Sequence, residues 1–513
     1  MTPLSILHIA SELAPLAQVG GLGDMLGGLS AEQARRGHRV LVALPHYPFV
    51  NLPAGASRCP IGGAEVPWGM GREKATFELV EPSGSGPRVL LVGHAGARRF
   101  YDRPGIYDDP ATGEGYADNA ERFLFFARAA LEGAKQLGER FDVLHAHDQQ
   151  GAWAPCFVRT HDQHEPAFGG MATVFTVHNL GYQGIHDSWV LAMAGFGTDQ
   201  FYPGGIFEFW GRVNFMKVGL AFADLITTVS PRHAVEIQTS GEFGFGLEGL
   251  LARRSADLRG ILSGIDDSWN PGTDPWIARR YDLECLDRKS ENRAALAAEC
   301  GFPSAPDLPL VGLVSRLVEQ KGLDLIEQSE SELLKLDARY VFMGEGSSRY
   351  VELFERLSRE HPDRVHFRRQ RDEAFVHRLE AGCDLYLMPS RYEPGGLNQL
   401  YSQRYGTVPV VHAVGGLADT VEPFDPLTGK GTGFRFDRFD AGEMVATLRH
   451  AITLRRQPEL WRRIQKNGMS RDFTWRAPAD RYDAVYAEAR ERIASGHVPT
   501  LESVKEQLEV KGR

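Results

Sequence analysis

The sequence has little cysteine and no pattern in what it has. Cys59, Cys156, Cys285, Cys300 and Cys383 are odd in number and scattered, with no Cys-x-x-Cys pair. This excludes a disulfide frame or a cysteine zinc site and suits thiols in a reducing cytosol. No Asp-x-Asp triplet occurs, so one common carboxylate pair for a divalent ion is absent. Long apolar runs are missing as well. Met1-Thr2-Pro3 leads straight into a strand-like segment, Leu4 to Ala10, with no basic leader and no long apolar stretch behind it; neither a signal peptide nor a membrane span is expected. Positive charge is in the minority, 57 Lys and Arg against 67 Asp and Glu for a net −10. That balance argues against nucleic acid or an anionic membrane as partner, and requires any anionic ligand to be met by local cations. No short-period repeat or low-complexity tract is present.

What remains is the composition of a globular protein, 42% hydrophobic and 24% charged. At 513 residues the chain is too long for one ordinary core, so two domains are expected. The opening reads strand (Ile6 to Ala10), glycine loop (Gln18 to Asp24), helix (through Leu26, Leu29 and Ala34 to Gly37), strand (Val40 to Leu44). That suits a doubly wound α/β domain with a ligand at the carboxyl ends of its strands. Residues 51–118 are richer in Gly and Pro, and Ala75 to Val80 and Arg88 to Val92 read as an antiparallel excursion. A long amphipathic helix ending near Leu137 follows. The turn-rich, aperiodic stretch Trp269 to Pro275 marks the expected domain boundary. Beyond it the rhythm resumes with strands at Leu310 to Val314, Tyr340 to Met343, Val365 to Phe367, Asp384 to Met388 and Val408 to Val411, and Trp475 to Ala494 reads as a helical tail.

Three groups of residues carry chemistry. Arg316 and Lys321 follow a strand directly and place two cations in one loop, where fixed positive charge would stabilise a departing diphosphate more in the transition state than in the ground state. Ser390 to Leu397 and His412 to Leu417 are two successive strand–glycine loop–helix junctions, whose unpaired N–H groups attract an anion. Glu393, in the first, is badly placed for phosphate and well placed for the hydroxyls of a sugar or ribose. Asp148, His178 and Asn179 sit at polar strand ends. Their spacing offers no His-x-x-x-His pair and no clear carboxylate third ligand, so hydrogen bonding to hydroxyls is the better reading and no metal site is expected.

The run Ser390-Arg391-Tyr392-Glu393-Pro394-Gly395-Gly396-Leu397-Asn398-Gln399, followed by Tyr405-Gly406-Thr407 and Gly415-Gly416-Leu417-Ala418-Asp419-Thr420-Val421, resembles the donor-binding signature of bacterial glycogen synthases and plant starch synthases. Asn214-Phe215-Met216-Lys217, Glu242 to Gly249 and Gly260 to Asp266 are similar to the same family, so the resemblance covers nearly the whole chain. It implies two Rossmann-like domains facing across a cleft, the GT-B architecture: an acceptor-side domain over 1–268, a nucleotide-sugar-binding domain over 269–474, and a C-terminal segment, 475–513, whose helix crosses back. It also implies a cytoplasmic hexosyltransferase that moves glucose from ADP-glucose to the non-reducing end of an α-1,4-glucan with retention of configuration, without cofactor, nucleic acid or membrane. Arg316 and Lys321 are then expected at the diphosphate, Glu393 at the donor, and His178 and Asp148 at the glucose. Gln18, Gly20, Gly21, Asp24, Asn179, Gly395, Gly396, Leu397, Gly415, Gly416 and Leu417 are expected around phosphates and sugar. The alternatives are a UDP-glucose or small-acceptor retaining transferase, and a glucan-binding regulatory protein with weakened turnover. Five positions depart from the family pattern and bear on donor identity and rate: Gln18 where Lys is usual, Gly395 where many relatives have Cys, Ser263 for Asn, and His412 and Val414 for Arg and Thr; the regulatory alternative draws on Gln18 and Val414.

Overall fold

The computed structural model describes residues 2–305, 307–370 and 372–509. The chain forms two compact units. The first runs to Val229, takes in Ala234–Gly264 and regains the chain at Trp475; the second holds Ser230–His233 and Ile265–Thr474. Ile265 N–H donates to the Phe473 carbonyl at 2.8 Å, so the strand of chain entering the second unit is bonded to the one leaving it. The turn-rich stretch expected as the boundary is instead built into the second unit. Trp269 stacks between His377 (4.0 Å) and Tyr401 (3.8 Å), and the Asp274 carboxylate takes hydrogen bonds from Tyr405 Oη (2.5 Å) and His377 Nδ1 (2.7 Å). Turn formers mark a change of direction, and here the turn is inside a domain.

The first unit carries strands β1 (Ser5–Ile9), β2 (Arg39–Pro45), β3 (Ser57–Trp68), β4 (Gly71–Glu81), β5 (Arg88–His94), β6 (Val143–His147), β7 (Ala172–Val177), a two-residue pair β8 (Ile185–His186) and β9 (Val213–Asn214), β10 (Leu225–Thr228) and β11 (Leu258–Gly260). Its main sheet has the order β11-β10-β7-β6-β1-β2-β5-β4-β3. β4 alone runs against the rest, pairing antiparallel with both β3 and β5; β5, expected in that excursion, also pairs parallel with β2 and so belongs to the parallel sheet. Because side chains alternate across a strand, β1 sends Leu7 and Ile9 into one core and Ile6 into another. The second of these cores is closed by the helix Gly21–Arg35 and by the tail helix Arg476–Ala494, through Met25, Leu29, Tyr482 and Tyr486. The contact is close: a Cβ at Gly28 would fall 1.9 Å from Trp475 Nε1.

The second unit carries β12 (Leu310–Val314), β13 (Arg339–Met343), β14 (Val365–Arg368), β15 (Leu385–Met388), β16 (Val408–His412) and β17 (Phe434–Phe436), all parallel, in the order β14-β13-β12-β15-β16-β17. β12 likewise feeds two cores, Val311 and Leu313 on one face and Leu310 on the other. In each sheet the chain winds outward one way and then returns to wind the other. The reversal falls between β1 and β6 in the first unit and between β12 and β15 in the second, and ligands of doubly wound sheets bind outside the carboxyl ends of strands at such points. Among the described residues no helix is long and apolar enough to cross a membrane.

Candidate active site

In the second unit, three neighbouring strands, β12, β15 and β16, deliver the predicted residues to one place. After β12, Lys321 Nζ donates to Glu393 Oε2 at 2.6 Å, and Ser390 Oγ, after β15, donates to the same oxygen at 2.9 Å. Glu393 is 7% exposed and its carboxylate is thus held by one cation and one hydroxyl. Gln320 ties the loops together: its Nε2 donates to the Tyr392 carbonyl and its own carbonyl accepts from Arg391 N–H, at 3.3 and 2.9 Å. Arg316, on this loop, lies 3.5 Å from Gln320 Oε1, too far for a strong hydrogen bond. Gly322 has φ +68, and a Cβ there would lie 1.8 Å from the Pro389 carbonyl oxygen, so the loop can approach β15 only as glycine.

The glycine pair after β16 is packed as closely. A Cβ at Gly416 would lie 1.9 Å from the Gly395 carbonyl oxygen, and Gly415 adopts φ +43. One expectation changes here. The Gly416 N–H, which a helix start would leave open to an anion, donates to the Glu393 and Pro394 carbonyls at 3.1 and 3.0 Å, and Leu417 N–H donates to Val414 O at 3.0 Å. The two loops satisfy each other, since their backbones touch. Gly395 and Gly396 are bridged by Gln399, whose Nε2 donates to both carbonyls at 3.0 Å. His412 is turned inward, its Nδ1 2.8 Å from the Ser390 carbonyl oxygen and its ring stacked on Phe436 at 5.3 Å.

In the first unit the loops after β1, β6 and β7 supply Gln18 to Asp24, Asp148, and His178 with Asn179. Asp148 adopts φ +48, a left-handed conformation uncommon outside glycine. Its Oδ1 accepts from the His178 and Asn179 N–H groups at 2.7 and 3.4 Å. Removal from water pushes its carboxyl up to about 7, against the opposite pull of those two N–H donors and with a smaller upward push from Glu12. Gln18 and Gly21 are exposed, and Gly20 and Asp24 half-buried, with Asp24 in the first turn of the helix Gly21–Arg35. Here too a carboxylate occupies the loop. Glu12 Oε2 accepts from Val19 N–H at 2.7 Å and Gly20 N–H at 2.9 Å, and its Oε1 accepts from Tyr107 Oη at 2.6 Å. Two backbone donors of the loop expected around phosphates and sugar are thus taken by the chain itself.

Glu12 and Ser390 were not singled out in the sequence, although each follows a strand end by three residues or fewer. Neither was the group behind His178. Its Nε2 lies 3.1 Å from His147 Nδ1, His147 Nε2 lies 3.0 Å from His8 Nδ1, and His8 Nε2 lies 2.9 Å from Gln33 Oε1. Burial lowers the pKa of all of these rings, His8 to about 4 and His178 to about 3. His8, His145 and His147 also bring ring nitrogens close enough to meet one ion. Local spacing could not show that cluster, because β1 and β6 pair His8 opposite His145 from distant parts of the chain. Each of these rings is bonded within the protein: His145 holds Tyr486 Oη at 2.8 Å and Thr176 Oγ1 at 2.5 Å.

Comparison with known proteins accords with both halves. A model for the starch synthase catalytic domain matches residues 5–253, and one for group 1 glycosyl transferases matches residues 302–471. A glycogen synthase of Koribacter versatilis is 42% identical over 491 residues, covering 95% of this chain and 99% of its own. Among solved structures, the catalytic domain of starch synthase IV from Arabidopsis thaliana, bound to ADP and acarbose, is 32% identical with a TM-score of 0.88, covering 96% of this chain and all of that one. Sucrose-phosphate synthase from Thermosynechococcus elongatus, at 19% identity and TM-score 0.59 over 94% of this chain and 98% of its own, shares the fold alone. Two doubly wound domains, both family models and full-length identity at this level place the chain among the GT-B glycosyltransferases: it belongs to the bacterial glycogen synthase and plant starch synthase family.

Proposed function

We propose that the protein transfers glucose from ADP-glucose to the 4-hydroxyl at the non-reducing end of an α-1,4-glucan, with retention of the α configuration, in the cytoplasm. The observation that carries this reading is the pairing of Lys321 with Glu393, in the loop that also carries Arg316, at the switch point of the second sheet. The bond from the anomeric carbon to the diphosphate breaks, its electron pair leaves with ADP, and the acceptor oxygen bonds to the same face of the sugar. The acceptor's proton passes to the departing phosphate oxygen, so no strong side-chain base is needed, and positioning and electrostatics carry the rate. Arg316 offers a rigid fork and Lys321 a mobile point charge to the leaving group. Glu393, held by Lys321 and Ser390, presents its remaining acceptor capacity to donor hydroxyls. Asp148, His178 and Asn179 take the hydroxyls of the glucose. The loop Gln18 to Asp24 and the glycines 395, 396, 415 and 416, with Leu397 and Leu417, shape the walls around phosphate and sugar. ADP-glucose as donor is supported by the ADP bound in the starch synthase IV structure, and a glucan acceptor by its acarbose. Radiolabelled transfer to a glycogen primer tests the reading: incorporation with ADP-glucose well above that with UDP-glucose is expected, and preference for UDP-glucose, or no transfer from either, would overturn it.

A further inference from the structure

The register sets His8 of β1 beside His145 of β6, and His147 beside Thr176 of β7, on one face of the sheet, where they converge under the tail helix with Gln33 and Tyr486. The result is a line of single-file hydrogen bonds with one end at Gln33 and the other at His178. Gln33 Nε2 donates to Tyr486 Oη at 2.9 Å, which leaves its amide oxygen facing His8. That oxygen can only accept. His8 must therefore carry its proton on Nε2 and offer a lone pair at Nδ1, which obliges His147 to donate from Nε2 and to offer its own lone pair at Nδ1. His178, bonded to that lone pair, must donate from Nε2. Its Nδ1 has no partner among the described residues and is not among the sealed, unpartnered atoms.

We infer that Gln33 is a positioning residue that, through His8 and His147, fixes His178 as the Nε2–H tautomer and so presents an unprotonated Nδ1, an obligate acceptor, to a sugar hydroxyl. Reversal of the one amide would reverse every bond in the line and turn that acceptor into a donor. The nitrogen of the same amide is held by Tyr486, whose hydroxyl in this sense donates onward to His145 Nδ1, while His145 Nε2–H donates to Thr176 Oγ1. A protonated His8 or His147 would turn one of its two N–H groups toward a donor, and burial of His8, His147 and His178 disfavours the charged form of each ring. The part concerning sugar rests on the function proposed above; the tautomer assignment does not.

The test is nitrogen-15 NMR of imidazole-labelled full-length protein, which reads the protonated nitrogen of each ring directly. In the natural protein His178, His147 and His8 should all show Nε2–H and unprotonated Nδ1 at pH 7. An Nδ1–H signal for His178 would overturn the inference without any variant having to fold. Gln33→Met, which cannot accept, should give His178 a mixture of tautomers and lower kcat/KM about tenfold or more. Gln33→Glu, whose carboxylate still accepts from His8, should keep the single tautomer and more of the activity. An unchanged His178 spectrum in Gln33→Met would also overturn it. If the tautomers behave as stated but His178→Ala transfers glucose normally, the relay stands and the role of His178 at the glucose fails.

Discussion

Behind Asp148 and His178 in the first unit lie neutral imidazoles and a carboxyl raised to about 7; behind Arg316, Lys321 and Glu393 in the second lies an ion pair closed at 2.6 Å. Both clusters sit at the switch point of a doubly wound sheet, so the fold does not distinguish them. Their chemistry does. A site for hydroxyl groups needs oriented donors and acceptors, whereas a site for a leaving diphosphate needs cations held in place before the charge develops. The difference can be tested by perturbing each cluster separately.

The largest effect is expected at the cations. Arg316→Ala and Lys321→Ala should each lower kcat by about 10²–10³, the scale of removing one electrostatic contact to the transition state. Lys321→Ala should also lower Tm, because Glu393 is left buried with only Ser390. Combining Lys321→Ala with Glu393→Gln should restore Tm without restoring kcat. Near-normal turnover in both single variants would remove the contrast between the two clusters.

The next effect belongs to Asp148 and depends on pH. If its ionised form is the working one, activity should fall about tenfold between pH 8 and pH 6, as the carboxyl takes up its proton near pH 7; Asp148→Asn should have a lower rate and no such acid limb. Stability runs in the opposite sense. The fold holds this proton more tightly than the unfolded chain does, so the stabilisation is complete below about pH 4 and disappears as pH rises through about 7. Asp148→Asn, which mimics the protonated group and tolerates positive φ, should therefore melt above the natural protein at pH 8 and level with it at pH 4. Equal melting at both would show the carboxyl to be an ordinary one.

A smaller gain is expected from Gln18→Lys, which brings a positive charge into the loop that Glu12 holds. A charge-assisted bond to a diphosphate is roughly twice as strong as a neutral one, so kcat/KM should rise by about two- to tenfold. Steady-state kinetics with both nucleotide sugars decide it. A fall for each donor would mean that the new ammonium turns back onto Glu12, beside the same loop. The smallest expected effect is none: exhaustive chelation should leave turnover unchanged, since protein cations rather than a metal would neutralise the diphosphate. Loss restored by a divalent ion would give the three histidines of β1 and β6 a different role.

Much of this contrast was legible in the sequence, because Arg316, Lys321, Glu393 and the glycines 415 and 416 lie in short runs that end strands and open helices. Asp148 and His178 were legible for the same reason. Partners supplied from a distance were not. Gln33 is 25 residues from His8 and 453 from Tyr486, and nothing local marks either as part of a polar line through a core. An open N–H group was expected at Gly416 because a helix start leaves it so; that the Glu393 carbonyl occupies it, as the Glu12 carboxylate does the Gly20 N–H, follows only from loops meeting in three dimensions. Strand β17 is three residues long, and β3 contains Pro60, Gly62 and Gly63, so neither has the run of β-branched residues by which strands are read.

The first unit is closed by the tail helix Arg476–Ala494, with the Trp475 ring against Gly28 and Tyr486 bonded to Gln33. Translation delivers the chain from its N-terminus, so the opening strands wait for their last layer while every residue of the second unit is made. The sheet face carrying His8, His145 and His147 stays uncovered until the chain has been made as far as Tyr486. The second unit, made in one stretch from Ile265 to Thr474 apart from four residues, is able to form first, although its gene segment is read later.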